Sequence, residues 1–225
     1  MLVFNNPNIA YRPICKCGTN TMYDALSKLF YNAAELEGLP PTDVRNKLDE
    51  DFGIKRPIQK IDLTKYFVFA IIRNPWSRLV SAHKELLRMH PWGNTTIDPK
   101  WLNCLPFKET YNLMSGSFEF TDFVDYVINI EPNEKRDGLK SSPYWIKQAE
   151  VLDITHINYN LLAKIETIDD YTSRMQQEGN IKLPKKLSKL HASEPYEYKS
   201  YYTTKMVDLV GQHYEDDVRL GDYEF

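Results

Sequence analysis

The sequence predicts an α/β protein with a parallel sheet flanked by helices, and three observations lead there. Residues 66–72, YFVFAII, form an unbroken apolar run rich in aromatic and β-branched residues, as a strand buried on both faces would. Two segments, around Lys16 and around Arg73, each read as strand, turn and helix in succession. Strands then alternate with helices toward the C-terminus, the order that helical crossovers between parallel strands produce.

Taken in order, residues 8–15 read as a strand, with Pro13 expected at an end or bulge because it cannot donate to a ladder. A turn at 16–19 leads into a helix with apolar positions Met22, Ala25, Leu26, Leu29 and Phe30. After the 66–72 strand come Arg73 and Asn74. Pro75 suits the first turn of a helix that Asn74 caps. Residues 118–130 carry helical spacing at Phe120, Phe123, Val127 and Ile130, and 156–165 read as a strand before a helix from about 168. A last helix over 203–214 places Met206, Val207, Val210 and Tyr214 on one stripe. With no repeat, low-complexity tract or Gly/Ser linker, residues 1–225 are expected to form one domain.

The 225 residues, 42% hydrophobic and 26% charged, suffice for a sizeable core. With 28 basic against 31 acidic residues and a net charge of −3, the chain has no global attraction for nucleic acid or anionic membranes, so an anion site must be local. No stretch reaches the roughly 18 apolar residues of a membrane span, and MLVFNNPNIAYR lacks a signal-peptide pattern; a cytoplasmic protein without a transmembrane segment is expected. Cys15, Cys17 and Cys104 are odd in number without metal-ligand spacing, which fits a reducing compartment. The sequon Asn94-Thr95-Thr96 would serve only a secreted chain.

Two segments suit anions. Lys16-Cys17-Gly18-Thr19-Asn20-Thr21 lies where a strand ends and a helix begins: unpaired N–H groups and the helix dipole face the anion, Gly18 permits close approach, and Lys16 adds a charge. The same segment also reads as an ordinary capped turn. Arg73-Asn74-Pro75-Trp76-Ser77-Arg78-Leu79-Val80-Ser81 follows the buried strand, so Arg73 offers a guanidinium fork at a strand's carboxyl end and Ser81 a hydroxyl two turns along the helix. Solvated arginines and a neutral surface serine are the plain alternative. No G-x-x-x-x-G-K-[ST] string occurs, which weakens a kinase or NTPase reading.

ICKCGTNT followed at a distance by FAIIRNPWSRLVSAHK resembles the two cofactor-binding segments of the carbohydrate sulfotransferase family, Golgi-type enzymes and their soluble microbial relatives. YWIKQAEVLDITHINYNLLAKIETIDDY is similar to that family's H-W-x-P-Q region, strand and G-K-x-E-T-L turn, and YYTTKMVDLVGQHYEDDVRLGDYEF to its ending. The resemblance implies a P-loop-like fold and transfer of a sulfuryl group from 3′-phosphoadenosine 5′-phosphosulfate to a carbohydrate hydroxyl. It implies that Lys16, Cys17, Gly18, Thr19, Asn20 and Thr21 bind the 5′-phosphosulfate, and that Arg73 with Ser81 binds the 3′-phosphate. The chain departs from the pattern at Cys15, where proline is frequent, at Tyr144, where the H-W motif has histidine, and at His191, where asparagine is common.

In such a reaction the acceptor hydroxyl attacks sulfur in line as adenosine 3′,5′-bisphosphate leaves, with Lys16 neutralising the leaving oxygen. The transferred group carries less charge than a phosphoryl group, so no metal is expected. His83 is a candidate base, yet it shares a helical stripe with Trp76, Val80 and Leu87 and reads equally as a core histidine. His90 and Glu85 are weaker choices, and Tyr144 suits hydrogen-bond donation better than proton removal. Lys182, Lys185, Lys186 and Lys189 either attract an anion or form a solvated run. Acceptor choice is expected in loops such as 91–117. A small kinase-like transferase and a non-catalytic nucleotide-binding module of the same fold are the alternatives, the second kept open by Tyr144. The Golgi lumen replaces the cytoplasm if this is an excised catalytic domain; oligomeric state has no signature in the sequence.

Overall fold

Six consecutive buried residues, Phe67–Ile72, form the strand expected from the apolar run, and it sits inside the sheet rather than at an edge. The computed structural model describes residues 1–54, 61–89, 119–130, 142–184, 186–187 and 197–225. These fall into two compact units, one of residues 1–74 and 148–195, the other of 75–147 and 196–225.

The first unit holds the sheet. Strand β1 (Leu2–Asn5) runs antiparallel to β2 (Asn8–Arg12), which pairs in parallel with β3 (Phe67–Ile72), which pairs in parallel with β4 (Leu161–Lys164). The sheet is therefore mostly parallel, as expected, with one antiparallel strand added at its edge: β1 is joined to β2 by a two-residue turn that only antiparallel strands can use. β2 also ends earlier than expected, at Arg12, because Pro13 has no N–H for the ladder. Registers Arg12↔Ala70 and Ile72↔Lys164 bring the carboxyl ends of the three parallel strands to one edge.

Helices α1 (Thr19–Phe30), α2 (Ala33–Leu36) and α3 (Pro41–Phe52) fill the crossover from β2 toward β3. Phe4 of β1 stacks on Phe30 of α1 at 4.0 Å and meets Phe52 of α3 at 4.3 Å, which seals one face of the sheet. Ala10 and Val68, which alternate to the other face, pack with Ile157. The strand expected over 156–165 shortens to β4. The chain first turns at Asp153, φ 53°, whose carbonyl accepts the N–H groups of His156 and Ile157 and so withholds them from a ladder. The short helix α4 (Gln148–Leu152) precedes that turn; after β4 come a 3-10 segment, Ile165–Tyr171, and α5 (Thr172–Gly179).

The second unit begins with α6 (Pro75–Met89), entered through Pro75 as expected, and continues with α7 (Phe120–Asp125), which passes into a π-turn over Tyr126–Ile130. Thr203 caps α8 (Thr204–His213), and α9 (Glu215–Gly221) follows. Its core is aromatic: Trp76, Phe120, Phe123, Tyr126, Trp145 and Tyr214 are all buried, and the Tyr214 hydroxyl donates to the Trp145 carbonyl at 2.6 Å. Among the described residues no helix is long and apolar enough to cross a membrane.

Candidate active site

The turn between β2 and α1 is shaped by two left-handed residues, Lys16 at φ 68° and Gly18 at φ 73°. Glycine takes that region freely, whereas lysine is strained there, so surrounding contacts must hold it. They are present. The Cys17 amide and the Thr19 hydroxyl both donate to the Ile14 carbonyl, at 3.2 and 2.7 Å, and the Lys16 carbonyl accepts from the Arg73 guanidinium at 3.1 Å. A Cβ at Gly18 would lie 2.4 Å from Ile165 Cδ1, the far end of a side chain that would have to shift, so it is the left-handed backbone that calls for glycine here.

This loop delivers the N-terminus of α1, a twelve-residue helix with no acidic residue in its first turn and no side-chain hydrogen bond from its cap, Gly18. Partial positive charge there is offset by no carboxylate in that turn. Lys16 is half-buried beside it, Asn20 is exposed, and Thr21 is buried. Cys17 turns its thiol inward to Gln148 Oε1 at 3.1 Å, so its side chain supports the loop from beneath. Lower still, the fully buried Tyr11 hydroxyl has no partner in hydrogen-bond geometry among the described residues, and burial pushes its ionisation far above that of a free phenol.

Arg73 and Asn74 follow β3 and are fixed through their backbones. Gln148 Oε1 accepts the Arg73 N–H at 2.8 Å while Gln148 Nε2 donates to the Arg73 carbonyl at 2.8 Å, and the Asn74 N–H donates to Glu166 at 2.8 Å. The structure thus brings Lys16, Cys17, Gly18 and Arg73 together at the carboxyl edge of the parallel strands, where such sheets bind ligands. Gln148 and Glu166 were missed as contributors: both lie in segments whose family likeness is visible, but nothing local marks a backbone clamp across 75 or 92 residues.

Of the other expected residues, Ser81, Arg78, His83, Glu85 and Tyr144 belong to the second unit, and Lys182 and Lys186 to the first. Ser81 is buried on α6. Arg78, expected at the surface in the plain reading, is 2% exposed and donates to the carbonyls of Ile146 and Pro143, which makes it a brace for that loop. His83 is 4% exposed, stacked on Phe123 and edge-on to Phe120, each at 5.4 Å. Tyr144 is half-buried against the aromatic core. Glu85 is half-buried; Lys182 and Lys186 are exposed and flank buried Leu183. His90, residues 91–117 with Asn94 and Cys104, Lys185, Lys189 and His191 lie outside the described residues.

The family model described as "Sulfotransferase family" matches residues 1–224. This chain belongs to the sulfotransferase family. Its relatives include carbohydrate sulfotransferase 10 of Xenopus laevis, 26% identical over 72% of this chain and 48% of the relative, and that of Pongo abelii, 29% identical over 53% and 34%. Carbohydrate sulfotransferase 11 of Danio rerio is 25% identical over 52% of the chain and 35% of the relative. The chain thus spans half or less of these relatives' own length. No solved structure matches the chain. Among the described residues no group of His, Cys, Asp and Glu is placed to hold a metal.

Proposed function

We propose that this chain transfers a sulfuryl group from 3′-phosphoadenosine 5′-phosphosulfate to a hydroxyl of a carbohydrate acceptor. The observation that carries the reading is the β2–α1 loop: a strained Lys16, a left-handed glycine, and a helix N-terminus with no acid in its first turn, joined to Arg73 by its guanidinium. An anionic donor fits that set, and the carbohydrate acceptor follows the names of the relatives. When bound, the donor supplies the sulfuryl group and leaves as adenosine 3′,5′-bisphosphate.

Lys16 neutralises the charge that grows on the leaving oxygen, the N–H groups at the start of α1 hold the 5′-phosphosulfate, and Arg73 takes the 3′-phosphate. Ser81 is assigned to the same phosphate on its sequence spacing from Arg73. Tyr144 is the better candidate to touch the acceptor, as a hydrogen-bond donor; His83, enclosed by Phe120 and Phe123, is the poorer one. Metal independence follows from the low charge of the transferred group. The relatives lend the cytoplasmic expectation no support, and the Golgi lumen is the placement that accords with the resemblance.

Tyr144, in place of histidine, favours a second reading as a nucleotide-binding module without turnover. Incubation with radiolabelled donor and a panel of oligosaccharides separates the two. Labelled sugar should form in step with bisphosphate release, and full activity should persist in excess EDTA. Bisphosphate binding without transfer to any hydroxyl would establish the silent module, and activity lost in EDTA and restored by magnesium would overturn metal independence.

A further inference from the structure

We propose that Gln148 is a positioning residue that locks the Lys16 loop to the Arg73 turn, fixing how the two segments present their charges to one nucleotide. This rests on the donor-binding reading above. Gln148 is 1% exposed, and its whole amide is used: Oε1 accepts the Arg73 N–H and the Cys17 thiol, and Nε2 donates to the Arg73 carbonyl. One side chain therefore pairs with the Arg73 backbone as a neighbouring strand would, at the point where β3 has ended and no strand is available. The same oxygen ties down the residue between Lys16 and Gly18.

The helix that carries Gln148 is itself seated on the sheet, because Arg12 Nε, at the end of β2, donates to the Val151 carbonyl at 2.8 Å. Arg73 closes the circuit by donating to the Lys16 carbonyl at 3.1 Å. Lys16 sits in a left-handed conformation that lysine adopts only when its surroundings over-determine it. Gln148 supplies part of that determination through Cys17 and part through Arg73. A glutamine this enclosed, with each polar atom engaged at the backs of two cationic segments, is the kind of support that holds a charge constellation in its productive geometry.

The test combines titration with adenosine 3′,5′-bisphosphate and hydrogen exchange of the ligand-free chain for Gln148→Met and Gln148→Glu, with Arg73→Ala and the double variant Gln148→Met/Arg73→Ala. Gln148→Met should weaken the bisphosphate by about tenfold and speed amide exchange in residues 14–21 and at Arg73, leaving β1 and α3 protected. Gln148→Glu keeps the acceptor but loses the donor and sets a buried carboxylate behind the anion site, so its affinity loss should match or exceed that of the methionine variant; its exchange data serve if the methionine variant fails to fold. In the Arg73→Ala background the methionine change should cost less affinity than in the unaltered chain, since the part that acts by placing the Arg73 guanidinium is already gone and only the part through Cys17 remains. Unchanged affinity, a fully additive double variant, or unchanged exchange in 14–21 would overturn the proposal. If the unaltered chain fails to bind the bisphosphate, the donor reading falls, and the exchange data alone decide whether Gln148 locks the two segments.

Discussion

The turn after β2 and the turn after β3 do the same work by different means. The first carries much of its shape in its own residues, with Gln148 and Arg73 adding support from outside: Gly18 and Lys16 supply the left-handed backbone, and Cys17 and Thr19 close onto Ile14 within a few positions. The second has no such internal structure. Arg73 and Asn74 are held by side chains from Gln148 and Glu166, 75 and 92 residues further on. A turn coded locally is sensitive to its own substitutions; a turn coded at a distance is sensitive to residues that never approach a ligand.

Substitution of the two cations should break this symmetry most visibly. Arg73→Ala removes a charge and also the donor to the Lys16 carbonyl, so bisphosphate affinity should fall by roughly 10- to 100-fold and exchange in the first turn should rise. Lys16→Ala should lower affinity by a similar factor with the loop still protected, since its shape is held from Ile14. Equal loosening in both variants would contradict the distinction.

Gly18→Ala tests the local code directly. A left-handed alanine meeting Ile165 should lower stability by about 1–2 kcal/mol in thermal or denaturant unfolding, and a second change, Ile165→Ala, should recover only the steric part. An unaffected melting temperature would mean that the loop tolerates another backbone shape.

His213, in the second unit, provides a control. Burial first, and then the nearby Lys147 charge, hold its pKa below the ordinary 6.5. The unfolded chain therefore takes up the proton before the folded one. Stability present above pH 6.5 is lost as pH falls through the window down to the lowered folded value. His213→Gln should flatten that part of a stability-against-pH curve and leave bisphosphate affinity at neutral pH unchanged. A slope that persists unaltered would place the acid sensitivity elsewhere.

The smallest effect is expected from Tyr11→Phe, which deletes a buried hydroxyl that has no partner in hydrogen-bond geometry among the described residues and should change stability by less than about 1 kcal/mol. A larger loss would show that the hydroxyl supports the loop above it.

The same contrast explains what the sequence revealed. β3 was legible because six residues of one character have one simple use, and the Lys16 loop because glycine and lysine at a strand-to-helix junction have few. β1 escaped because Leu2–Asn5 is four residues long and its partner choice depends on the turn at Asn6-Pro7. α3 escaped too: Leu48 is its one wholly buried residue, so it shows little apolar periodicity. Arg78 looked like a surface charge because its carbonyl partners at Ile146 and Pro143 are set by tertiary packing. The Gln148 clamp was invisible for the same reason: a glutamine that pairs with a backbone leaves no pattern near either end.

The most direct measurement is calorimetric titration of the chain with adenosine 3′,5′-bisphosphate and, separately, with ATP, repeated on Lys16→Ala and Arg73→Ala. Tighter binding of the bisphosphate than of ATP, weakened by both substitutions, is the expected result. A preference for ATP, or bisphosphate binding indifferent to both substitutions, would contradict the assignment of these two turns to the sulfuryl donor.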